Sequence, residues 1–208
     1  RYTFSYNTQQ AGIIKNFVFL RATVEMAGNS IRLFNYLTHD KDSRTATYEV
    51  FEIPYSQFIL PELDLRYYQA FDEHNMLVYR FNAGVGFAYM NSDVMPYEKS
   101  FFAGGANDLR AYKVRTVGPG SFSTTEKIER IGDIKINFNL EMRSDIFRFL
   151  EGAAFIDAGN VWLRKTDNTQ PGGRFLWENS IKELAVGAGL GLRLDFRFFI
   201  FRIDGGIP

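Results

Sequence analysis

The chain has 208 residues, with 24 Lys+Arg against 24 Asp+Glu, two His and no Cys, so its formal net charge is zero. That balance argues against a nucleic-acid partner, which calls for a basic excess, and the lack of thiols excludes disulfides, zinc–thiolate sites and cysteine nucleophiles. At 46% hydrophobic residues the chain is too apolar for disorder, yet no run approaches the roughly 20 apolar residues of a membrane helix.

Phe (21) and Gly (18) are abundant, a strand-and-turn composition. The opening Arg1-Tyr2-Thr3-Phe4 has neither an initiator Met nor an apolar leader core, and reads as the interior of something longer. Alternation with period two then separates strands from helices and assigns each residue to a face. It is weak over Tyr2 to Thr8, Phe17 to Met26 and Ile59 to Tyr68. From Leu77 to Tyr89 it sets Leu77, Tyr79, Phe81, Ala83, Val85, Phe87 and Tyr89 against Val78, Arg80, Asn82, Gly84, Gly86 and Ala88.

The clearest run is Asp133 to Arg143. Ile134, Ile136, Phe138, Leu140 and Met142 share one face, and Asp133, Lys135, Asn137, Asn139, Glu141 and Arg143 the other. Gly152 to Trp162 follows. Leu184 to Phe196 places Leu184, Val186, Ala188, Leu190, Leu192, Leu194 and Phe196 opposite a small and charged face of Ala185, Gly187, Gly189, Gly191, Arg193 and Asp195. Phe198 to Ile207 completes eight expected strands, with no helix expected and no domain boundary or low-complexity tract.

Several of these runs exceed the roughly 5 to 6 residues of an average strand. Connections are short at Arg143 to Leu150 and Phe196 to Phe198, and long at Gly28 to Glu49, Met90 to Ile131 and Arg164 to Lys182. Short turns at one end and long loops at the other are how transmembrane barrels are built. A soluble sandwich also alternates, usually with shorter strands. The expected class is therefore all-β, an antiparallel transmembrane β-barrel, with Tyr89, Tyr97, Trp162 and Trp177 as candidates for aromatic girdles. Eight strands close a small barrel alone or form half of a larger one.

Catalytic motifs are absent: there is no GxSxG, HExxH or P-loop. His39 and His74 lie in expected loops, where a surface His is the default. Glu62 and Asp64 fit a solvated barrel wall. The Met90 to Ile131 loop is different, because hairpin loops usually have 2 to 5 residues. It carries Gly104-Gly105, which permit close backbone approach, and Arg110 in Leu109-Arg110-Ala111-Tyr112. Folded back into a barrel, Arg110 requires an acidic partner, and Glu141 and Asp157 lie on the correct face.

The string Phe101-Phe102-Ala103-Gly104-Gly105 through Leu109-Arg110-Ala111-Tyr112 resembles the sixth extracellular loop of the BamA/TamA-type assembly and translocation barrels, the bacterial surface antigen family. Asn139-Leu140-Glu141-Met142-Arg143 and Phe155-Ile156-Asp157-Ala158-Gly159-Asn160-Val161-Trp162 resemble the two strands that follow that loop. Ala111 stands where the family usually has Gly.

The resemblance implies a bacterial outer-membrane protein in which Arg110 pairs with Glu141 and Asp157 inside the lumen, with Tyr112 and Gly104-Gly105 shaping the loop. It implies that residues 1–208 are the C-terminal half of a barrel domain of about sixteen strands, without the final strand and the N-terminal half. The implied role is insertion or translocation of client outer-membrane proteins, with the lipid bilayer and periplasmic or lipoprotein accessory subunits as partners. No enzymatic activity, cofactor or metal is expected. The alternative is a passive channel or small structural barrel.

Overall fold

In the computed structural model, residues 1–10, 15–38, 49–50, 53–124, 126, 128–147, 149–196 and 198–208 are described. The strands are β1 (Tyr2–Asn7), β2 (Phe17–Ala27), β3 (Glu49–Val50), β4 (Ile53–Pro54), β5 (Phe58–Ala70), β6 (Asn75–Val85), β7 (Phe87–Ala88), β8 (Ile134–Phe147), β9 (Leu150–Trp162), β10 (Ala185–Asp195) and β11 (Ile200–Ile207). Two helices, α1 (Asn29–Thr38) and α2 (Trp177–Ser180), and one 3-10 turn (Tyr97–Lys99) lie in the connections.

One antiparallel path, β1-β2-β5-β6-β8-β9-β10-β11, carries the fold, and β7 adds a ninth strand by pairing with β5. Each expected run has its strand on this path, while Leu77 to Tyr89 is interrupted at Gly86, between β6 and β7. Among the described residues β1 and β11 do not pair with each other, so the sheet is a partial barrel. The antiparallel order gathers the β5–β6, β8–β9 and β10–β11 turns at one rim and the long β2–β5, β6–β8 and β9–β10 connections at the other.

The sheet is inverted relative to a water-soluble one. On β8, Asn137 is 1% exposed while its neighbour Phe138 is 45% exposed; on β9, Asp157 is 0% and Ile156 51% exposed. Polar Thr23, Asp64, Asn82, Glu141 and Arg193 are buried, whereas Leu65, Leu140, Val186, Leu190 and Leu192 are exposed. Such a pattern is stable only where the outer solvent is itself apolar, since buried polar groups then need partners on the inside. Cross-strand pairs such as Phe81 with Phe138, centroids 5.0 Å apart, tile the outer face.

Two sequence expectations are corrected. The first long connection holds a helix, α1, where none was expected; its large apolar residues Leu33, Phe34, Tyr36 and Leu37 are exposed while Asn35 is buried and Arg32 half-buried, the reverse of a helix packed beside water. Trp162 is 0% exposed: its indole N–H donates to Glu183 (2.6 Å) and its ring meets Phe175 edge-on. It therefore belongs to no girdle. Tyr97 lies in the long loop, hydrogen-bonded through its hydroxyl to Arg115 at 2.7 Å.

Candidate functional site

The β6–β8 connection folds over the inner face of the sheet. Its root is fixed by isolated bridges, Phe101 with Gly132 and Ala103 with Val117. Its hydrophobic pivot is Leu109, fully buried with Ala103, Val117 and Val161. Gly104 and Gly105 sit at φ of +100° and +102°, and a Cβ on Gly104 would lie 2.1 Å from the Lys113 carbonyl oxygen. Only glycine meets both demands without strain. The turn closes through Asp108 N–H to Gly105 O (3.0 Å) and Gly105 N–H to Tyr112 O (2.9 Å).

This turn aims Arg110 at β8 and β9. Asp157 accepts from the Arg110 backbone N–H (3.0 Å), from Nε (2.9 Å) and from Nη2 (2.8 Å). Arg110 Nη1 donates to Glu141 Oε2. The guanidinium stacks 3.6 Å from the centroid of Phe155, the β9 residue beside Asp157 on the inner face. A planar, permanently charged group with forked donors is what such a three-sided seat requires. Side-chain exposure is 6% for Arg110, 8% for Glu141 and 0% for Asp157, so solvent screens this cluster little.

The carboxylates are themselves held. Asn139 Nδ2 donates to Asp157 (2.8 Å) and to the Asp108 carbonyl (2.7 Å). Glu141 also accepts from Arg143 Nε at 2.6 Å and from Arg193 Nη2, and Arg193 reaches Glu151 at 2.9 Å. One carboxylate thus joins guanidiniums from the loop, β8 and β10. Tyr112 contributes its hydroxyl, which donates to the Val186 carbonyl on β10 (2.9 Å).

Sequence reasoning missed several residues of this seat. Asp108 accepts from Gly104 N–H (2.9 Å), Asn137 Nδ2 (2.7 Å) and Lys135 Nζ (2.9 Å). Arg80 on β6 donates to the Asn107 carbonyl (2.7 Å), and Arg202 on β11 to Asn107 Oδ1 (3.2 Å). Ala111 lies against two glycines: a Cβ on Gly187 would come 2.4 Å from its Cβ, and one on Gly206 3.0 Å from its Cα. The small residues Gly187 of β10 and Gly206 of β11 are therefore the floor on which the loop tip rests. Among the described non-glycine residues, positive φ occurs at Met90 and Arg115 and not at Ala111, so alanine is tolerated at the tip. The grip spans β6, β8, β9, β10 and β11.

The other sequence candidates lie apart from the seat. His74 belongs to the β5–β6 turn, where its Nδ1 is 3.4 Å from Asp145 Oδ2 in an exposed pair. His39 lies outside the described residues. Asp64 is taken up by Arg66 (2.7 Å) and Arg80 (3.0 Å) on the inner wall, and Glu62 accepts from Asn82 (3.3 Å). No group of three or more His, Asp or Glu suited to a metal occurs among the described residues. In the seat, the carboxylates of Asp108, Glu141 and Asp157 each accept from cationic or amide donors, the chemistry of a fastening.

Comparison with known proteins fits this geometry. The Omp85 superfamily domain matches residues 48–208. The chain is similar to the outer membrane protein assembly factor BamA of Neisseria meningitidis serogroup B (strain ATCC BAA-335 / MC58), 29% identical over 140 residues, which covers 57% of this chain and 17% of that protein. In fold it is similar to the crystal structure of BamA from Haemophilus ducreyi lacking POTRA domains 1-3, with a TM-score of 0.56 and 13% identity, covering 99% of this chain and 49% of that one. The chain thus spans about half of that structure and a smaller share of the curated relative.

Proposed function

The chain belongs to the Omp85 superfamily, and on that premise we propose that it serves as the C-terminal half of an outer-membrane barrel that inserts or translocates other proteins. In this reading residues 1–208 supply roughly half of about sixteen strands. Clients are outer-membrane proteins, the working medium is the lipid bilayer, and periplasmic or lipoprotein subunits assist. Neither an enzymatic step nor a cofactor enters.

The observation that carries the proposal is the Arg110 seat. A barrel that works on its surrounding bilayer or receives client strands has to keep its own register while doing so. Arg110 ties the loop to β8 through Glu141 and to β9 through Asp157, and the loop's neighbouring residues reach β6, β10 and β11. Losing one partner of a buried pair leaves an uncompensated charge, which makes release of the loop from this seat costly. The seat thereby holds strands in register from inside while leaving the outer face free.

Charge reversal tests this role in the full-length protein. Arg110→Glu is expected to impair client insertion, and adding Asp157→Arg to restore part of it. Full client insertion by Arg110→Glu alone would remove the proposed role. Steady conductance independent of clients, with insertion never dependent on the protein, would instead identify a passive channel.

A further inference from the structure

Helix α1 (Asn29–Thr38) begins directly after β2 and Gly28, at the rim that carries the long loops. Its attachment to the barrel is polar. Asn29 Oδ1 accepts from the Tyr89 hydroxyl (2.7 Å) and from Gln57 Nε2 (2.8 Å). Asn35 is 6% exposed, and Arg32 is half-buried. On a helical wheel Arg32 and Asn35 fall about 60° apart. Leu33, Phe34 and Leu37 occupy the opposite side and are 60%, 65% and 72% exposed, with Tyr36 on the flank at 60%. No Asp or Glu occurs in the helix.

A helix beside water does the reverse, burying its apolar stripe and exposing its polar one. The inversion is the one that β8 and β9 show, where Asn137 and Asp157 are buried and Phe138 and Ile156 exposed. It also continues an existing surface: Met26, 45% exposed, closes the outer face of β2 immediately before the helix. A second protein is a poor occupant. Ten residues span about 15 Å, far too little for the roughly 800 Å² per partner of a stable protein interface.

We propose that α1 is a membrane-interface anchor, lying in the lipid leaflet at the long-loop rim with Leu33, Phe34 and Leu37 among the upper acyl chains; this rests on the reading of the chain as an outer-membrane barrel. Helices with an apolar face of this kind settle in the plane of the interface, about 5 to 10 Å deep. The anchor fastens the β2–β5 side of the rim to lipid.

The test attaches an environment-sensitive fluorophore to single cysteines in the full-length protein, reconstituted in vesicles whose phospholipids carry bromine on the acyl chains; these 208 residues contribute no cysteine of their own. The sites are Leu33→Cys and Leu37→Cys on the helix, Leu140→Cys on the outer face of β8, and Asn168→Cys in the β9–β10 loop. Emission from positions 33 and 37 is expected to be quenched along with that from 140, more strongly by bromine high on the chain than deep in it, while 168 stays bright. Quenching at 140 with none at 33 and 37 overturns the anchor, whether the label there reports water or a covering protein. No quenching at 140 overturns the barrel reading itself, and the anchor with it.

Discussion

Two long connections leave the same rim and bury different kinds of side chain. The β6–β8 loop turns inward and is held by charge, with Arg110 against Asp157 and Glu141 and Asp108 against Lys135. The β2–β5 connection opens with a helix that keeps Asn35 inside and Leu33, Phe34 and Leu37 outside. Each segment matches the side it lies on: polar groups gather where backbone and side-chain partners exist, and apolar ones face outward. In both, the burial of polar groups and exposure of large apolar ones continues what β8 and β9 show.

The inward side breaks most severely by removing a carboxylate. Asp157→Ala strips Arg110 of its backbone and side-chain acceptor, and a destabilisation of about 3–5 kcal/mol is expected for a buried pair that loses one member. Urea unfolding of the folded barrel, read by loss of its heat-modifiable mobility, measures it. Next comes the outward side. Leu140→Arg, which puts a charge on the outer face, should cost about 2–4 kcal/mol if that position is near the bilayer midplane, and a neutral result in lipid would contradict the inversion.

A subtler test addresses the floor under the loop tip. Gly187→Val drives a side chain into Ala111, which a Cβ alone would approach to 2.4 Å, and overpacking of this kind costs about 1–3 kcal/mol. Protease nicking between Lys113 and Arg115 should accelerate as the tip lifts, and an unchanged nicking rate would show that the tip does not rest there.

The smallest effect lies in the β5–β6 turn, outside the strands. Asp72 accepts from the Asn75 side chain and from the His74 N–H, and these bonds hold its carboxyl below the usual aspartate range. A lowered folded value means that the group stabilises the turn above its ordinary value near 4 and loses that contribution as pH falls through the folded value. Asp72→Asn should flatten this acid dependence slightly in a pH series of unfolding midpoints, with other carboxylates unaffected.

Much of the fold was legible because a period of two leaves little freedom. The charged face of Asp133 to Arg143 and the apolar run of Leu184 to Phe196 each define a strand and its two sides. Two of the residues facing the loop, Glu141 and Asp157, followed from which face they share. The floor was not legible. Gly187 and Gly206 read as small residues on a strand, and their reason is a loop tip nearly a hundred positions from Gly206 in sequence.

Asp108 was overlooked because its partners, Asn137 and Lys135, sit on another element; an acid two positions before Arg110 was the available signal. Helix α1 was missed because a ten-residue helix inside a connection offers fewer than three turns of pattern against the period-two runs on either side. Trp162, placed in a girdle by its position at a strand end, is covered by the β9–β10 connection through Phe175 and Glu183, a contact that local sequence does not announce.

The inward seat of the loop is tested most directly by amide hydrogen exchange in the full-length protein in lipid, comparing the native chain with Arg110→Glu. The Arg110 N–H donates to Asp157 and the Gly104 N–H to Asp108, so the segment 103–112 should exchange as slowly as β8 and β9 and lose that protection in the variant. Rapid exchange of 103–112 in the native protein, or protection unchanged by Arg110→Glu, would contradict a loop held by that arginine.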